Sequence, residues 1–175
     1  LKIKLLFAKI NIPIVFYHRE IKKRFVELGV PKNSCFVGNN TFHVEVRKKA
    51  YENEKNYFLF VGTLDKRKGL DVCINAIKKV TSNYDTDIKF IIIGDGDEYF
   101  NLVKLVSFLK LEKQVEMIGR INNTDELARY YENAIASVSY GQAGLSVLQS
   151  FAYGVPYITC KDAISGGEHK NIVHK

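Results

Sequence analysis

The most informative segment of the chain is Tyr140-Gly-Gln-Ala-Gly-Leu-Ser-Val-Leu-Gln-Ser-Phe-Ala-Tyr-Gly-Val-Pro-Tyr-Ile-Thr-Cys160. An apolar run at 135–139 predicts a strand before it, and the apolar spacing over 145–153 predicts a helix that ends at Gly-Val-Pro. A glycine turn joins the two. Because the first N–H groups of such a helix are unpaired, its start favours a phosphate. A plain glycine turn in any parallel α/β protein gives the same pattern.

Upstream of this segment, apolar strands alternate with amphipathic helices. The pattern predicts strands over 57–61, 88–93, 115–118, 135–139 and 157–159, and helices over 70–80, 98–110, 124–132 and 145–153. Such alternation requires right-handed crossovers and a parallel sheet with helices on both faces. We therefore predict a Rossmann-like α/β fold whose ligand lies at the carboxyl ends of the strands.

The N-terminal part of the chain predicts a smaller unit. A strand over 12–17, a helix over 19–28 and a strand over 35–37 precede a polar, highly charged run. We divide the chain into this unit (1–41), a linker (42–56) and the main lobe (57–175). The chain begins at Leu1 and trails off after a Gly-Gly turn, so we expect a piece of a longer protein.

Composition narrows the class of ligand. The 175 residues are 46% hydrophobic with 3 Pro, which indicates a globular chain, and the net charge of +7 favours anions such as phosphates, nucleotides or acidic lipids. A solvated basic surface explains the charge equally well. No basic run is interleaved with aromatic residues, so we do not expect nucleic acid. The longest apolar runs are too short for a membrane span.

Cysteine and histidine give little sign of a special site. Cys35, Cys73 and Cys160 are far apart in apolar contexts, which predicts buried thiols in a reducing, cytoplasmic compartment. The four histidines lack ligand spacing with cysteine or carboxylates. We expect neither a disulfide nor a bound metal.

The loop after the first strand of the main lobe is rich in cations. Gly62 leaves room for a ligand beside the strand end, and Lys68 stands just before the helix, where it can neutralise a phosphate. Arg67 precedes it. A solvated turn is the alternative interpretation of this charged run.

The next two loops also carry glycine. Gly94-x-Gly96-x-x-Tyr99 lacks the third glycine of a dinucleotide-binding fingerprint, so we interpret Gly94 and Gly96 as turn residues and do not expect a nicotinamide or flavin site. In the third loop, backbone groups around Gly119 can pair with a flat base. A helix start is predicted at Thr124.

In order along the chain, these motifs resemble retaining glycosyltransferases of family 4. The motifs are Phe60-Val-Gly-Thr-Leu, Lys68-Gly-Leu-Asp71, Ile93-Gly-Asp-Gly96, Val115-x-x-Ile-Gly119, Glu126-Leu-Ala-x-x-Tyr131, Gly144-Leu145 and Ala152-x-Gly154-x-Pro156. The resemblance implies the GT-B fold, two Rossmann-like lobes facing across a cleft. Residues 57–175 would form the C-terminal, nucleotide-sugar-binding lobe, and 12–41 a remnant of the N-terminal, acceptor-side lobe.

The resemblance also implies site residues for a nucleotide-diphosphate sugar. The diphosphate would be held by cations and by backbone N–H groups beside Gly144, namely Lys68, Arg67, Leu145 and Ser146. Gly119 and Ile121 would face the base, and Gln149 the ribose. The catalytic residues would lie in the missing acceptor-side lobe.

Two departures from the family pattern affect the site. Thr63 stands where the family has an arginine. The family's two glutamates, separated by seven residues, fall here on Gly141 and Gln149. The first normally holds the donor sugar and the second the ribose. The turn and Ser165-Gly-Gly-Glu168 resemble a capsule and surface-polysaccharide branch, which implies divergence within active enzymes.

The implied reaction is transfer of a sugar to an acceptor hydroxyl with retention of anomeric configuration, without a cofactor or metal. The acceptor would be a saccharide or a lipid-linked saccharide, and the basic charge would suit peripheral contact with an anionic membrane. Two alternatives remain open. One is a non-catalytic nucleotide-sugar-binding scaffold, and the other is a sugar-nucleotide epimerase on the same architecture.

Overall fold

The computed structural model describes residues 12–38, 40–44 and 55–172, without the side chains of residues 169 and 170. Most of the predicted linker, residues 45–54, lies outside the described residues, as do residues 1–11 and 173–175. Two parallel sheets lie within the described part of the chain.

The N-terminal unit is a parallel strand–helix–strand. Its elements are β1 (Ile14–Phe16), α1 (Arg19–Glu27) and β2 (Cys35–Val37). Ile14 lies opposite Cys35 in the parallel register. Phe16, Val30 and Cys35 form a small buried core beneath the helix. The predicted elements are present, with β1 shorter than the predicted strand.

The main lobe is a doubly wound parallel sheet. Its strands are β3 (Tyr57–Val61), β4 (Lys89–Ile93), β5 (Val115–Gly119), β6 (Ala134–Val138) and β7 (Tyr157–Ile158), and its helices are α2 (Leu70–Asn83), α3 (Tyr99–Phe108), α4 (Thr124–Asn133) and α5 (Leu145–Ala152). The order is β5-β4-β3-β6-β7. The chain winds from β3 outward to β5 and then returns to β6, so the direction reverses between β3 and β6. Such a switch point opens a ligand crevice at the strand ends.

Strand β4 shows why the sheet is covered on both faces. Phe90 and Ile92 pack in the core cluster that contains α2 and α3 residues, whereas Ile91 and Ile93 pack with Tyr131 of α4 on the other face. Successive side chains of a strand point to opposite faces, so a continuous apolar run is buried on both sides. The predicted α/β class is confirmed.

The helix boundaries have local causes. Asn123 caps α4, because its Oδ1 accepts the backbone N–H groups of Asp125 (2.9 Å) and Glu126 (3.0 Å). Helix α2 continues past the predicted end at 80 to Asn83, although apolar periodicity stops there. The Thr81 hydroxyl donates back to the Ile77 carbonyl oxygen (3.0 Å) and stays compatible with the helix. No helix within the described ranges is long and apolar enough to cross a membrane.

The cysteines follow the prediction in part. Cys35 and Cys73 are buried and unpaired, and burial raises the pKa of the Cys73 thiol to about 11. Cys160 is partly exposed, so the prediction of a buried thiol is wrong there. Cys160 follows β7, which is the edge strand of the sheet and lacks a neighbour on its outer side within the described residues.

Candidate functional site

The glycine loops at the strand ends are joined by backbone hydrogen bonds. The Gly62 N–H donates to the Ile93 carbonyl oxygen (3.0 Å), and the Gly94 N–H donates to the Gly119 carbonyl oxygen (2.8 Å). These bonds connect the ends of β3, β4 and β5. The loops therefore form one connected floor at the carboxyl edge of the sheet.

Gly94 and Gly96 are required by this packing. Both have left-handed backbone conformations, with φ of 149° and 155°. A Cβ atom at Gly94 would overlap the Gly62 carbonyl oxygen, and one at Gly96 would lie 2.5 Å from the Leu64 carbonyl oxygen. The interpretation of both glycines as turn residues is confirmed.

An open cavity of about 450 Å³ lies over this floor. It is lined by Val61, Gly62, Thr63, Ile93, Gly94, Asp95, Gly96, Arg120 and Ile121. Two of the predicted site residues, Gly62 and Ile121, therefore meet in one cavity. Arg120 adds a cation that the sequence interpretation missed, although its place directly after Gly119 was a usable signal. Its Nε donates to Asn122 Oδ1 (2.9 Å).

Arg67 and Lys68 lie together on a short 3₁₀ helix, Lys66–Lys68, but in different environments. The exposed Arg67 guanidinium forms a salt bridge with Asp65 (3.0 Å). Lys68 is partly buried, and desolvation lowers the pKa of its ammonium group while Asp65 opposes the shift. Lys68 forms no salt bridge within the described part of the chain. Its charge is thus the more available of the two to a phosphate.

The same short helix is fixed to the turn after β6. The Gly141 N–H donates to the Lys68 carbonyl oxygen (2.9 Å). A Cβ atom at Gly141 would overlap the Arg67 carbonyl oxygen. The position where the family carries its first glutamate therefore has no room for any side chain in this protein.

The start of α5 is open, in contrast to the turn before it. A Cβ atom at Gly144 would meet nothing within 4 Å. The N–H groups of Leu145 and Ser146 have no hydrogen-bond partner among the described residues, as expected of the first turn of a helix. The Ser146 hydroxyl pairs with the Tyr157 hydroxyl (2.8 Å), whereas its backbone N–H has no acceptor in the described part of the chain.

Gln149 lies apart from the 450 Å³ cavity. It lines a smaller one of about 180 Å³ with Thr124 and Asp125 from the first turn of α4 and with Phe42. Its amide makes no hydrogen bond to another described residue. The structure thus places Gln149 beside the helix that follows β5, and its role towards a ribose stays a prediction.

The turn contains a polar group that the sequence interpretation did not single out. The Gln142 side-chain Oε1 is buried without a hydrogen-bond partner. The residue also pairs with Ile164 in a parallel bridge, which brings the C-terminal segment alongside the turn. In the sequence, the only sign of this group was that Gln142 directly follows Gly141 in the turn.

No group of His, Cys, Asp and Glu side chains suited to a metal ion occurs within the described ranges.

Two curated proteins are similar to this chain over most of its length. The O-antigen biosynthesis glycosyltransferase WclY of Escherichia coli is 28% identical over 144 residues, which cover 79% of this chain and 37% of WclY. An uncharacterised 41.2 kDa protein in the cps region of Klebsiella pneumoniae is 32% identical over 146 residues, covering 76% of this chain and 38% of that protein. The chain thus spans little more than a third of the length of these relatives.

The fold recurs in a solved glycosyltransferase. A variant of TarM from S. aureus, in complex with fondaparinux, alpha-GlcNAc-glycerol and UDP, superposes with a TM-score of 0.78 over 99% of this chain and 34% of TarM. The sequence identity is 16%, so the likeness shows the fold, which is that of GT-B enzymes. A family model described as glycosyl transferases group 1 matches residues 42–168. Since that match covers well over half of the chain, this protein belongs to the group 1 family of glycosyl transferases.

Proposed function

We propose that the protein containing this chain transfers a sugar from a nucleotide-diphosphate sugar to an acceptor hydroxyl and retains the anomeric configuration. One observation carries the proposal. The unpaired N–H groups at the start of α5 lie beside the segment of Lys68, to which the turn before α5 is hydrogen-bonded. A helix start and a partly desolvated cation at a switch point together favour a diphosphate.

The proposed chemistry follows from where charge develops. When the bond to the anomeric carbon breaks, negative charge grows on the leaving diphosphate. Lys68 and the N–H groups of Leu145 and Ser146 stabilise that charge without reorganising. Arg67 contributes less, because its guanidinium is already paired with Asp65.

The nucleoside would lie over the glycine loops at the carboxyl ends of β3, β4 and β5. Ile121 would present backbone groups to the base in the cavity that Arg120 also lines. Gly119 directly precedes them, but its carbonyl oxygen already accepts the Gly94 N–H, so its contact with the base stays a prediction. The Gln149 amide, beside the first turn of α4, can both donate and accept hydrogen bonds with ribose hydroxyls. This proposal assigns the base to the 450 Å³ cavity, the ribose to the separate cavity that Gln149 lines, and the diphosphate to the start of α5.

The relatives support a narrower role in surface polysaccharide synthesis. WclY is named for O-antigen biosynthesis, and the Klebsiella protein for the cps region. TarM was solved with UDP and a sugar-bearing glycerol. We propose a saccharide or lipid-linked saccharide acceptor, at the cytoplasmic face of a membrane whose anionic lipids attract the net charge of +7.

The experiment that tests this proposal uses the full-length protein with a panel of nucleotide-diphosphate sugars and saccharide acceptors. We expect sugar transfer, with the product's anomeric configuration, read by NMR coupling constants, matching that of the donor. Inversion would contradict the retaining mechanism. Donor binding without transfer would favour the scaffold, and conversion of the donor sugar into its epimer would favour the epimerase.

A further inference from the structure

A second polar cavity lies where the N-terminal unit meets the main lobe. Its volume is about 440 Å³. The lining comes from the residues between β1 and α1, the start of α1, the beginning of the loop after β2, and the C-terminal segment. Its polar side chains are those of Tyr17, His18, Arg19, Asn40, Glu168 and Asn171. None of these residues belongs to the nucleotide site described above.

Glu168 is the unusual member of this cavity. The residue is only 8% exposed, yet it forms no salt bridge with any side chain that the structure describes. Its Oε2 accepts a hydrogen bond from the Ser165 hydroxyl (3.2 Å). An ionised carboxylate offers about four acceptor positions, and burial is costly when they stay unfilled. Most of its capacity therefore remains for a ligand with hydroxyl donors.

The segment that leads to Glu168 is hydrogen-bonded to the turn of the nucleotide site. The Ile164 N–H donates to the Gly141 carbonyl oxygen (2.9 Å), and the Ala143 N–H donates to the Ile164 carbonyl oxygen (2.9 Å). Further on, Gly167 has φ of 131°, and a Cβ atom there would lie 2.8 Å from Ile21 Cδ1 of α1. The segment thus runs from the diphosphate turn to the acceptor-side unit and ends at Glu168.

The opposite wall supplies a hydrogen-bond donor. His18 Nδ1 accepts the Glu20 backbone N–H (3.3 Å) at the start of α1, so the imidazole proton lies on Nε2. The Asn171 Nδ2 donates to the Glu168 carbonyl oxygen (3.0 Å), which leaves its Oδ1 as an acceptor. Mixed donors and acceptors around one carboxylate suit a neutral polyhydroxylated ring.

From these observations, and resting on the proposed function, we propose that this cavity binds a sugar ring and that Glu168 accepts hydrogen bonds from its hydroxyls. Glu168 then supplies the carboxylate that has no room at Gly141. The group that the cavity would recognise is a pyranose with neighbouring hydroxyls. It can belong to the donor sugar or to the acceptor.

The test compares Glu168→Gln with Glu112→Gln, an exposed control on the turn before β5. Calorimetry measures the affinity of each variant for three sets of ligands. These are UDP and GDP, the nucleotide sugars that each forms with glucose, N-acetylglucosamine and mannose, and the methyl glycosides of these sugars. Loss of a charge-assisted hydrogen bond predicts about 10- to 100-fold weaker sugar binding, with UDP and GDP unchanged. A loss confined to nucleotide sugars identifies the donor, and one confined to methyl glycosides identifies the acceptor.

Unchanged binding of every sugar, or equal weakening of the bare diphosphates, would overturn the inference. If the wild-type chain binds neither UDP nor GDP, the proposed function fails, while the methyl glycosides still test the sugar cavity. If Glu168→Gln does not fold, His18→Asn takes its place. Asparagine keeps the helix cap but removes the Nε2 donor. Unaltered sugar affinity in His18→Asn would then count against the proposal.

Discussion

Two glycines at the same edge of the sheet, Gly94 and Gly144, have opposite surroundings. A Cβ atom at Gly94 would overlap the backbone of β3's loop, whereas one at Gly144 would enter open space. The absence of a side chain at Gly94 allows its loop to pack directly against the loop that contains Gly62. Gly144 leaves room at a helix start whose N–H groups are unpaired. The contrast distinguishes the packed floor of the strand ends from the open helix start, where we propose that the diphosphate binds.

Gly94→Ala should have the largest effect of the substitutions that follow. Overlap with the Gly62 carbonyl oxygen and a φ of 149° both oppose a side chain. Summing the usual costs of overpacking and of backbone strain, we expect a loss of about 4 kcal/mol in the free energy of unfolding. Urea denaturation of the variant and the wild type measures it.

Gly144→Ala is the matched control for that measurement. Its loss should stay at or below about 1 kcal/mol, since it changes only the N-cap residue. Equal losses for the two variants would show that the contrast between a packed floor and an open helix start is wrong.

Gly141→Glu tests a third glycine of the same edge, at the position where the family 4 pattern has its first glutamate. The Arg67 carbonyl oxygen occupies the space that the new Cβ atom needs. We expect destabilisation of about 1–3 kcal/mol, the range of overpacking, and no gain in donor affinity. A stable variant that binds a nucleotide sugar more tightly would contradict this description of the turn.

Lys68→Ala tests the charge beside the open helix start. We expect nucleoside diphosphate binding to weaken by about 1.5–3 kcal/mol, with Lys66→Ala, an exposed lysine on the same 3₁₀ helix, as control. Desolvation lowers the pKa of Lys68, so the folded state disfavours its charge, and removing the ammonium group should not reduce the melting temperature. A variant that melts early would assign Lys68 a structural role.

Sequence patterns predicted the sheet because each strand carries its own signal. The run over 90–93 is apolar on both faces, and the motif glycines follow the ends of the strands. Which glycine leaves room for a ligand was not predictable. That property depends on the carbonyl groups of other loops, such as those of Gly62 and Arg67, which are distant in sequence.

The site residues illustrate the same limit. Arg67 and Lys68 look equivalent in the sequence, and only the position of Asp65 distinguishes them. Glu168 lies in a recognisable Ser-Gly-Gly-Glu segment, but its burial depends on packing against elements distant in sequence, such as α1, which Gly167 approaches at Ile21. Side-chain environments built from three separate segments leave no periodic signal.

The smallest expected effect concerns Gln149. Replacing it with Leu removes a neutral hydrogen bond to ribose, so the donor KM of the full-length protein should rise by a factor that corresponds to about 1 kcal/mol. Gln149→Glu should keep or raise activity, since it restores the common family residue. If the Glu variant unfolds while the Leu variant works normally, Gln149 is a packing residue of α5 and the ribose lies elsewhere.

The proposed diphosphate site is tested most directly by asking whether this chain prefers a nucleoside diphosphate to the corresponding nucleoside. Calorimetry compares UDP with uridine and GDP with guanosine on the wild-type chain. If the start of α5 and Lys68 bind the diphosphate, at least one of the two diphosphates should bind about 10- to 100-fold more tightly than its nucleoside. Equal affinity within both pairs would contradict the assignment of the open helix start as the diphosphate site.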